Sequence, residues 1–229
     1  MRRNVQPEIL DTLPRADPRA VRSRQDLRRV NGWMRNHVLM ADVLRKVLNG
    51  CTPGQIAELG AGDGDFLFRV AQKVSPSWPD MTARLVDFQE CVMPATLIDF
   101  AALGWRAEII VADVFDWVKT LAVGEILIAN LFLHHFEDAQ LAELLRLISQ
   151  RAKVFIAIEP QRAPWPLFCS RQLWAIGCND VTRHDAAVSV RAGFSSQELS
   201  ALWPEQQHWR LTERRAGIFS HLFIAQKIS

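Results

Sequence analysis

The sequence predicts an α/β fold: a seven-stranded, mostly parallel sheet with helices on both faces and an antiparallel hairpin at its C-terminal edge. Three observations predict it. Between Gln55 and Ile158, short apolar runs alternate with amphipathic stretches, the rhythm of parallel strands joined by right-handed crossover helices. Near the C-terminus, two strand-like runs meet at Ala216-Gly217, which reads as a hairpin. Finally, 229 residues with 49% hydrophobic and 23% charged side chains are enough for one domain with a sizeable core. That composition excludes a disordered or collagen-like chain.

The elements follow in order. Residues 1–24 carry Pro7, Pro14 and Pro18 with little periodicity and are expected to form an extended arm. Beyond Asp26, the residues Leu27, Val30, Met34, Val38, Ala41, Leu44 and Leu48 recur at steps of three or four, an amphipathic helix that stops at Asn49-Gly50. Pro53-Gly54 turns into a first strand (55–59), a loop (60–64) and a helix (65–74) that ends where Ser75 to Pro79 break the chain. A second strand (82–87), a helix (91–103) stopped by Gly104, a third strand (106–111) and a short helix (115–121) continue the alternation. A fourth strand is expected over 125–133, then a helix from Asp138 to about 151 and a fifth strand over 153–158.

Residues 160–194 break the rhythm. Three prolines precede one helix (167–176), and a polar stretch follows from Cys178 to Asp185. An insertion longer than an ordinary loop is usually functional. Ser195-x-x-Glu198 is a capping-box signature for a helix to Trp203,, and strands over 209–215 and 218–228 complete the sheet. The chain therefore divides into an arm and lid helix (1–50) and a sheet domain (51–229) with a substrate-side insertion at about 160–194.

Composition narrows the classes. No run approaches the roughly 20 apolar residues of a membrane helix, and no apolar core follows the charged start, so membrane insertion and secretion are not expected and the cytoplasm is the default. The four cysteines form no C-x-x-C pair, so neither a metal site nor a redox pair is expected. The first 46 residues carry a net charge of +6, against −4 for the rest. A solvated helix face accounts for this more readily than nucleic-acid contact.

The chemistry-bearing residues lie where strands end, the place where open α/β sheets bind ligands. Gly60, Gly62 and Gly64 follow G-x-G-x-G and let the backbone approach a ligand closely. A dinucleotide fingerprint would put its third glycine at position 65; Asp65 stands there, where a pyrophosphate would sit. A nucleoside without phosphates and with a positive centre suits this acid-rich surround better. Asp87 is placed to take both hydroxyls of a ribose, Asp113 an exocyclic adenine amine with the Val114 backbone at the ring edge, and Glu58 an α-amino group.

Glu58-Leu59-Gly60-Ala61-Gly62-Asp63-Gly64 resembles the first motif of the class I S-adenosylmethionine-dependent methyltransferases. Leu85-Val86-Asp87, Ala112-Asp113-Val114-Phe115-Asp116 and Ala129-Asn130-Leu131-Phe132-Leu133-His134-His135-Phe136 resemble the later motifs, in order. The resemblance covers about residues 50–160. It implies the Rossmann-like seven-stranded methyltransferase fold, with S-adenosyl-L-methionine against Glu58, Gly60, Ala61, Gly62, Gly64, Asp87, Phe88, Asp113, Val114, Asn130 and Leu131. The Asn-Leu-x-Leu-His-His-Phe form is similar to small-molecule methyltransferases, including those acting on quinones and polyketides. The gap before Asp87 is longer than usual, which makes Gln89 a second ribose neighbour.

Histidine is the base best matched to neutral pH. His135 is the favoured catalytic residue, with His134 beside it and His184, next to Asp185, as a further candidate. His37, His208 and His221 read as structural, and Trp33, Trp165 and Trp174 as pocket, core or lid packing. The expected activity is methyl transfer to an oxygen, carbon or nitrogen of a small molecule. The alternatives are a nucleic-acid methyltransferase using the basic arm, a nicotinamide-dependent oxidoreductase, and a non-catalytic binding module. The oligomeric state leaves no trace in the sequence.

Overall fold

The computed structural model describes residues 1–14 and 16–228. One sheet of seven strands runs in the order β3-β2-β1-β4-β5-β7-β6. These are β1 Gln55–Leu59, β2 Thr82–Asp87, β3 Arg106–Val111, β4 Glu125–Asn130, β5 Ala152–Pro160, β6 Trp209–Ala216 and β7 Ser220–Lys227. β1 to β5 pair in parallel, whereas β7 is antiparallel to both β5 and β6. The fold expected from the alternation and the terminal hairpin is thus the fold observed.

The ten helices among the described residues are α1 Ile9–Thr12, α2 Pro18–Met34, α3 Asn36–Leu48, α4 Asp65–Val74, α5 Pro94–Ala102, α6 Val114–Thr120, α7 Asp138–Arg151, α8 Pro164–Arg171, α9 Asp180–Ala192 and α10 Glu198–Leu202. Alternate residues of each strand feed opposite cores, as the period of two requires. Ile126 and Ile128 join α3, α4 and α5 on one face, with Met40, Leu44, Leu67, Val70 and Phe100. Leu127 and Ala129 join α6, α7 and α10 on the other, with Val118, Leu144, Ile148 and Leu199. α3 is therefore part of the main core.

Several expectations are corrected. The arm is not extended to residue 24: Pro18 opens α2, and Asp17 caps it by accepting from the Arg19 N–H, a standard start for proline at the first helical position. The single helix expected to Leu48 is two, because Arg35 takes a left-handed φ of +54° between α2 and α3. The fourth strand stops at Asn130, where Leu131, at φ +54°, turns the chain into a 3-10 turn at Leu133–His135. The helix of the insertion is α8 and a second 3-10 turn, Leu173–Ile176.

The polar stretch at 178–185 is not a loop. Asn179 caps α9 by accepting from Thr182 N, and the polar side chains of this turn dock on α2. Buried Asp26 accepts from Asn179 N at 2.9 Å, and Thr182 Oγ donates to Ser23 Oγ at 2.9 Å. Half of the expected Ser195 capping box forms, with Glu198 accepting from Ser195 N,. Glu213 of β6 accepts from the Leu199 and Ser200 N–H groups that begin α10, while Glu198 also receives Arg162. The three tryptophans read as packing, Trp33, Trp165 and Trp174, are exposed.

Candidate functional site

The strand order reverses between β1 and β4, so the chains leaving their C-terminal ends diverge and open a crevice. A cleft of about 630 Å³ lies there. Its floor is the turn after β1. Gly60 and Ala61 N–H groups donate to Val86 O at 2.9 and 3.0 Å, and Gly62 N donates to Asp87 Oδ2 at 2.8 Å. Asp87 Oδ1 accepts in turn from Gln89 N at 2.9 Å. One carboxylate therefore ties the β1 turn to the β2 turn.

The glycines do different jobs. A Cβ on Gly60 would sit 2.2 Å from the Phe132 ring, whereas one on Gly62 would meet nothing within 4 Å. Gly60 is thus required by packing, and Gly62 leaves backbone open toward the cleft. Both hold left-handed φ, +72° and +55°.

Glu58 is 1% exposed, and its Oε2 has no partner although it lines the cleft. An unmet buried carboxylate oxygen is costly. Burial above all, then the charges of Asp63, Asp87 and Asp65, push its pKa well above the carboxylate range. A cationic group entering the cleft would satisfy this oxygen and let it ionise. Asn130, at the end of β4, accepts from Asn36 Nδ2 at 2.9 Å, and Asn36 Oδ1 accepts from Ser220 Oγ at 2.7 Å. This buried relay fixes the floor to α3 and β7.

The opposite end of the cleft is built on Glu159, fully buried at the end of β5. Its Oε1 accepts from Phe132 N and Leu133 N at 3.1 and 2.8 Å, and its Oε2 meets His134 Nδ1 at 2.9 Å. His134 Nε2 lies 3.5 Å from Glu8 of the arm; Ser189 Oγ of α9 donates to that same Glu8. Burial works to remove the His134 proton, but Glu159 and Glu8 outweigh it and hold the pKa at about 9.

The His135 ring stands 4.3 Å from that of His134. Burial and the His134 cation push its pKa below the usual range. Its Nδ1 is 3.6 Å from Asp11 Oδ2; burial, then the charges of Glu8 and Asp185, raise Asp11 to about 6. Donor atoms of Glu8, His134 and His135 lie within 4.8 Å of one another, but His134 already faces a carboxylate on each nitrogen.

Of the sequence-predicted residues, Glu58, Gly60, Ala61, Gly62, Asp87, Phe88, Asn130, Leu131, His134 and His135 line this one cleft. Gly64 packs behind it, against Leu85 and Thr96. Asp113 is the cap of α6, accepting from Phe115 N at 2.7 Å, and Val114 is buried in the core; neither lines the cleft. Nor does His184, which is half exposed and meets Asp185 at 3.0 Å. Asp185 itself caps α1, accepting from Ile9 N and Leu10 N at 2.8 and 3.0 Å.

Residues not anticipated are Glu8, Asp11 and Ser189, Phe132, His37, and the stripe Arg24, Leu27, Arg28 and Asn31 on α2. The stripe's three- and four-residue spacing was visible in the sequence; nothing local marks the arm residues.

No family model matches the chain, and no curated protein matches it in sequence. Solved structures match its fold. The plantazolicin methyltransferase BpumL, in complex with SAH, is 12% identical with a TM-score of 0.67, covering 93% of this chain and 92% of its own. An O-methyltransferase family protein from Burkholderia thailandensis is 18% identical with a TM-score of 0.59; it covers 93% of this chain, which spans only 61% of that protein. The magnesium protoporphyrin IX methyltransferase from Synechocystis PCC 6803, with bound SAH, is 14% identical with a TM-score of 0.54 and covers 84% of each chain. At such identities the likeness is one of fold: the chain has the fold of these methyltransferases.

Proposed function

We propose that this chain is an S-adenosylmethionine-dependent methyltransferase acting on an oxygen, carbon or nitrogen of a small molecule. The observation that carries the reading is the Gly60–Gly64 turn, pinned by Asp87 beside the unpartnered buried Glu58 oxygen. It suits a ligand with a positive centre and no phosphates. Glu58 would meet the cofactor's cationic end, Asp87 its ribose, and Phe88, Leu131 and Phe132 its apolar faces. The bound cofactor would supply a methyl group already activated on a sulfonium, leaving the protein to position the acceptor and exclude water.

At the acceptor end the two histidines divide the work. His134, with a pKa of about 9, keeps its proton at neutral pH. It therefore orients the turn and contributes positive charge. His135, with a lowered pKa, is neutral there and can accept the acceptor's proton. Glu8 and Asp11 face these rings from the arm.

Two other readings fare worse. A nicotinamide dinucleotide fingerprint would place its third glycine at the start of α4, where Asp65 stands instead,. A nucleic-acid substrate would need free positive charge, yet Arg3, Arg19 and Arg28 each meet a carboxylate. Isothermal titration with S-adenosylmethionine, S-adenosylhomocysteine and NADH tests the reading. Binding of the first two without NADH is expected; NADH binding alone overturns it.

A further inference from the structure

The chain has eight tryptophans, and the three that are more than half exposed lie on neighbouring elements. Trp33 (63%) is on α2, Trp165 (56%) on α8 and Trp174 (60%) on the 3-10 turn that follows α8. Phe168, 53% exposed, stacks on Trp165 with ring centroids 5.5 Å apart. The 3-10 turn is strapped to α2. Arg29 donates to Ile176 O at 2.8 Å and Arg22 to Gly177 O at 3.2 Å. Trp33 lies one helical turn beyond Arg29 on the same side of α2, because four residues make about one turn.

Trp33 and the 3-10 turn that carries Trp174 therefore sit beside arginines. Arg22 and Arg29 divide a single buried carboxylate, Asp26, and Arg171 and Arg183 add exposed positive charge at the end of α8 and on α9. Exposed Trp and Phe at this density are expensive in water. Tryptophan beside arginine is the composition that settles at the headgroup level of a bilayer, where the ring has an apolar body and a polar edge.

We propose that the face made by α2, α8 and the intervening 3-10 turn docks on an anionic lipid surface. The aromatic rings would enter the interface and the arginines would meet lipid phosphates. No helix of the described residues is long and apolar enough to cross a membrane, so the contact is peripheral. α2 is the shared wall: Arg24, Leu27, Arg28 and Asn31 line the cleft from its other side. The inference rests on this surface and not on the proposed chemistry, and its test needs no cofactor.

The test is flotation of the intact protein with vesicles of phosphatidylcholine alone and of phosphatidylcholine mixed with phosphatidylglycerol, read with tryptophan fluorescence. Binding to the anionic vesicles is expected, with a blue-shifted emission and partial loss in high salt. The triple variant Trp165→Ser, Phe168→Ser, Trp174→Ser should bind at least roughly tenfold more weakly, since each ring removes a large buried apolar area. Its far-ultraviolet circular dichroism should be unchanged. Arg171→Glu should weaken binding to the anionic vesicles alone. Vesicle binding that is absent, or equal in wild type and triple variant, overturns the proposal. So does concentration-dependent self-association, or salt-dependent RNA binding, that the triple variant abolishes in place of vesicle binding. Cofactor titration remains a separate measurement, so either reading can fail without the other.

Discussion

Asp87 holds two backbone N–H groups, one on each side of the cleft floor, and is at once a ligand candidate and a structural pin. Asp87→Ala is expected to cost roughly 0.5–1.5 kcal/mol of stability, since water can replace the carboxylate at these accessible donors, and to weaken S-adenosylmethionine binding at least tenfold by titration calorimetry, on the order of 1.4 kcal/mol. Equal affinity in the variant would remove Asp87 from the ligand set. His135 invites a different test. His135→Gln should lower kcat by roughly a hundredfold or more, the scale of a lost general base, leave cofactor affinity intact, and abolish the acid limb of the pH–rate profile. An unaltered profile would show that no base acts there. At this scale the sequence was most legible where residues that act together are also neighbours, as in Gly60 to Gly64. It was least legible at Glu8, Asp11 and Ser189, which meet the histidines only through tertiary structure.

Elements were read correctly wherever apolar period decided them, which is why all seven strands were found, and all but β4 have both ends within two residues of where alternation and short runs put them. The misreadings have two causes. One is a single left-handed residue: Arg35 divides a continuous apolar stripe into α2 and α3, and Leu131 ends β4 three residues early. Neither residue type advertises that conformation. The other is polarity spent inside the protein. The start of α9 looks like a loop because Asn179 and Thr182 serve Asp26 and Ser23 rather than water. The α2–α3 junction offers a direct check. Arg35→Gly removes the side-chain strain of φ +54° at the expense of a freer unfolded chain, for a net gain of roughly 0.5 kcal/mol. A urea midpoint that rises slightly, with an unchanged slope, is expected; a fall would mean that the Arg35 side chain contributes more than its strain costs.

For the molecule as a whole, the His134 cluster sets a pH dependence. Folded His134 titrates near 9 and unfolded histidine near 6.5,. The native state binds its proton more tightly, so this contribution is complete below about 6.5 and is lost as pH rises through about 9. The urea midpoint of the wild type should therefore fall across that window, and the fall should be absent in His134→Asn. A wild-type midpoint that stays level there would mean that Glu159 and Glu8 do not hold the proton.

The clamp on this end of the cleft also has a temporal consequence. Arg3 donates to Phe136 O, Ala192 O and Asp138, and Asp185 holds the first turn of α1. During synthesis these opening residues leave the ribosome long before their partners do. The strands under the cleft, β1, β2 and β4, precede α9 in the chain, so the histidine end closes only once α9 has emerged. An unfinished chain would thus present the floor of the cleft before it gains the surroundings of the two histidines.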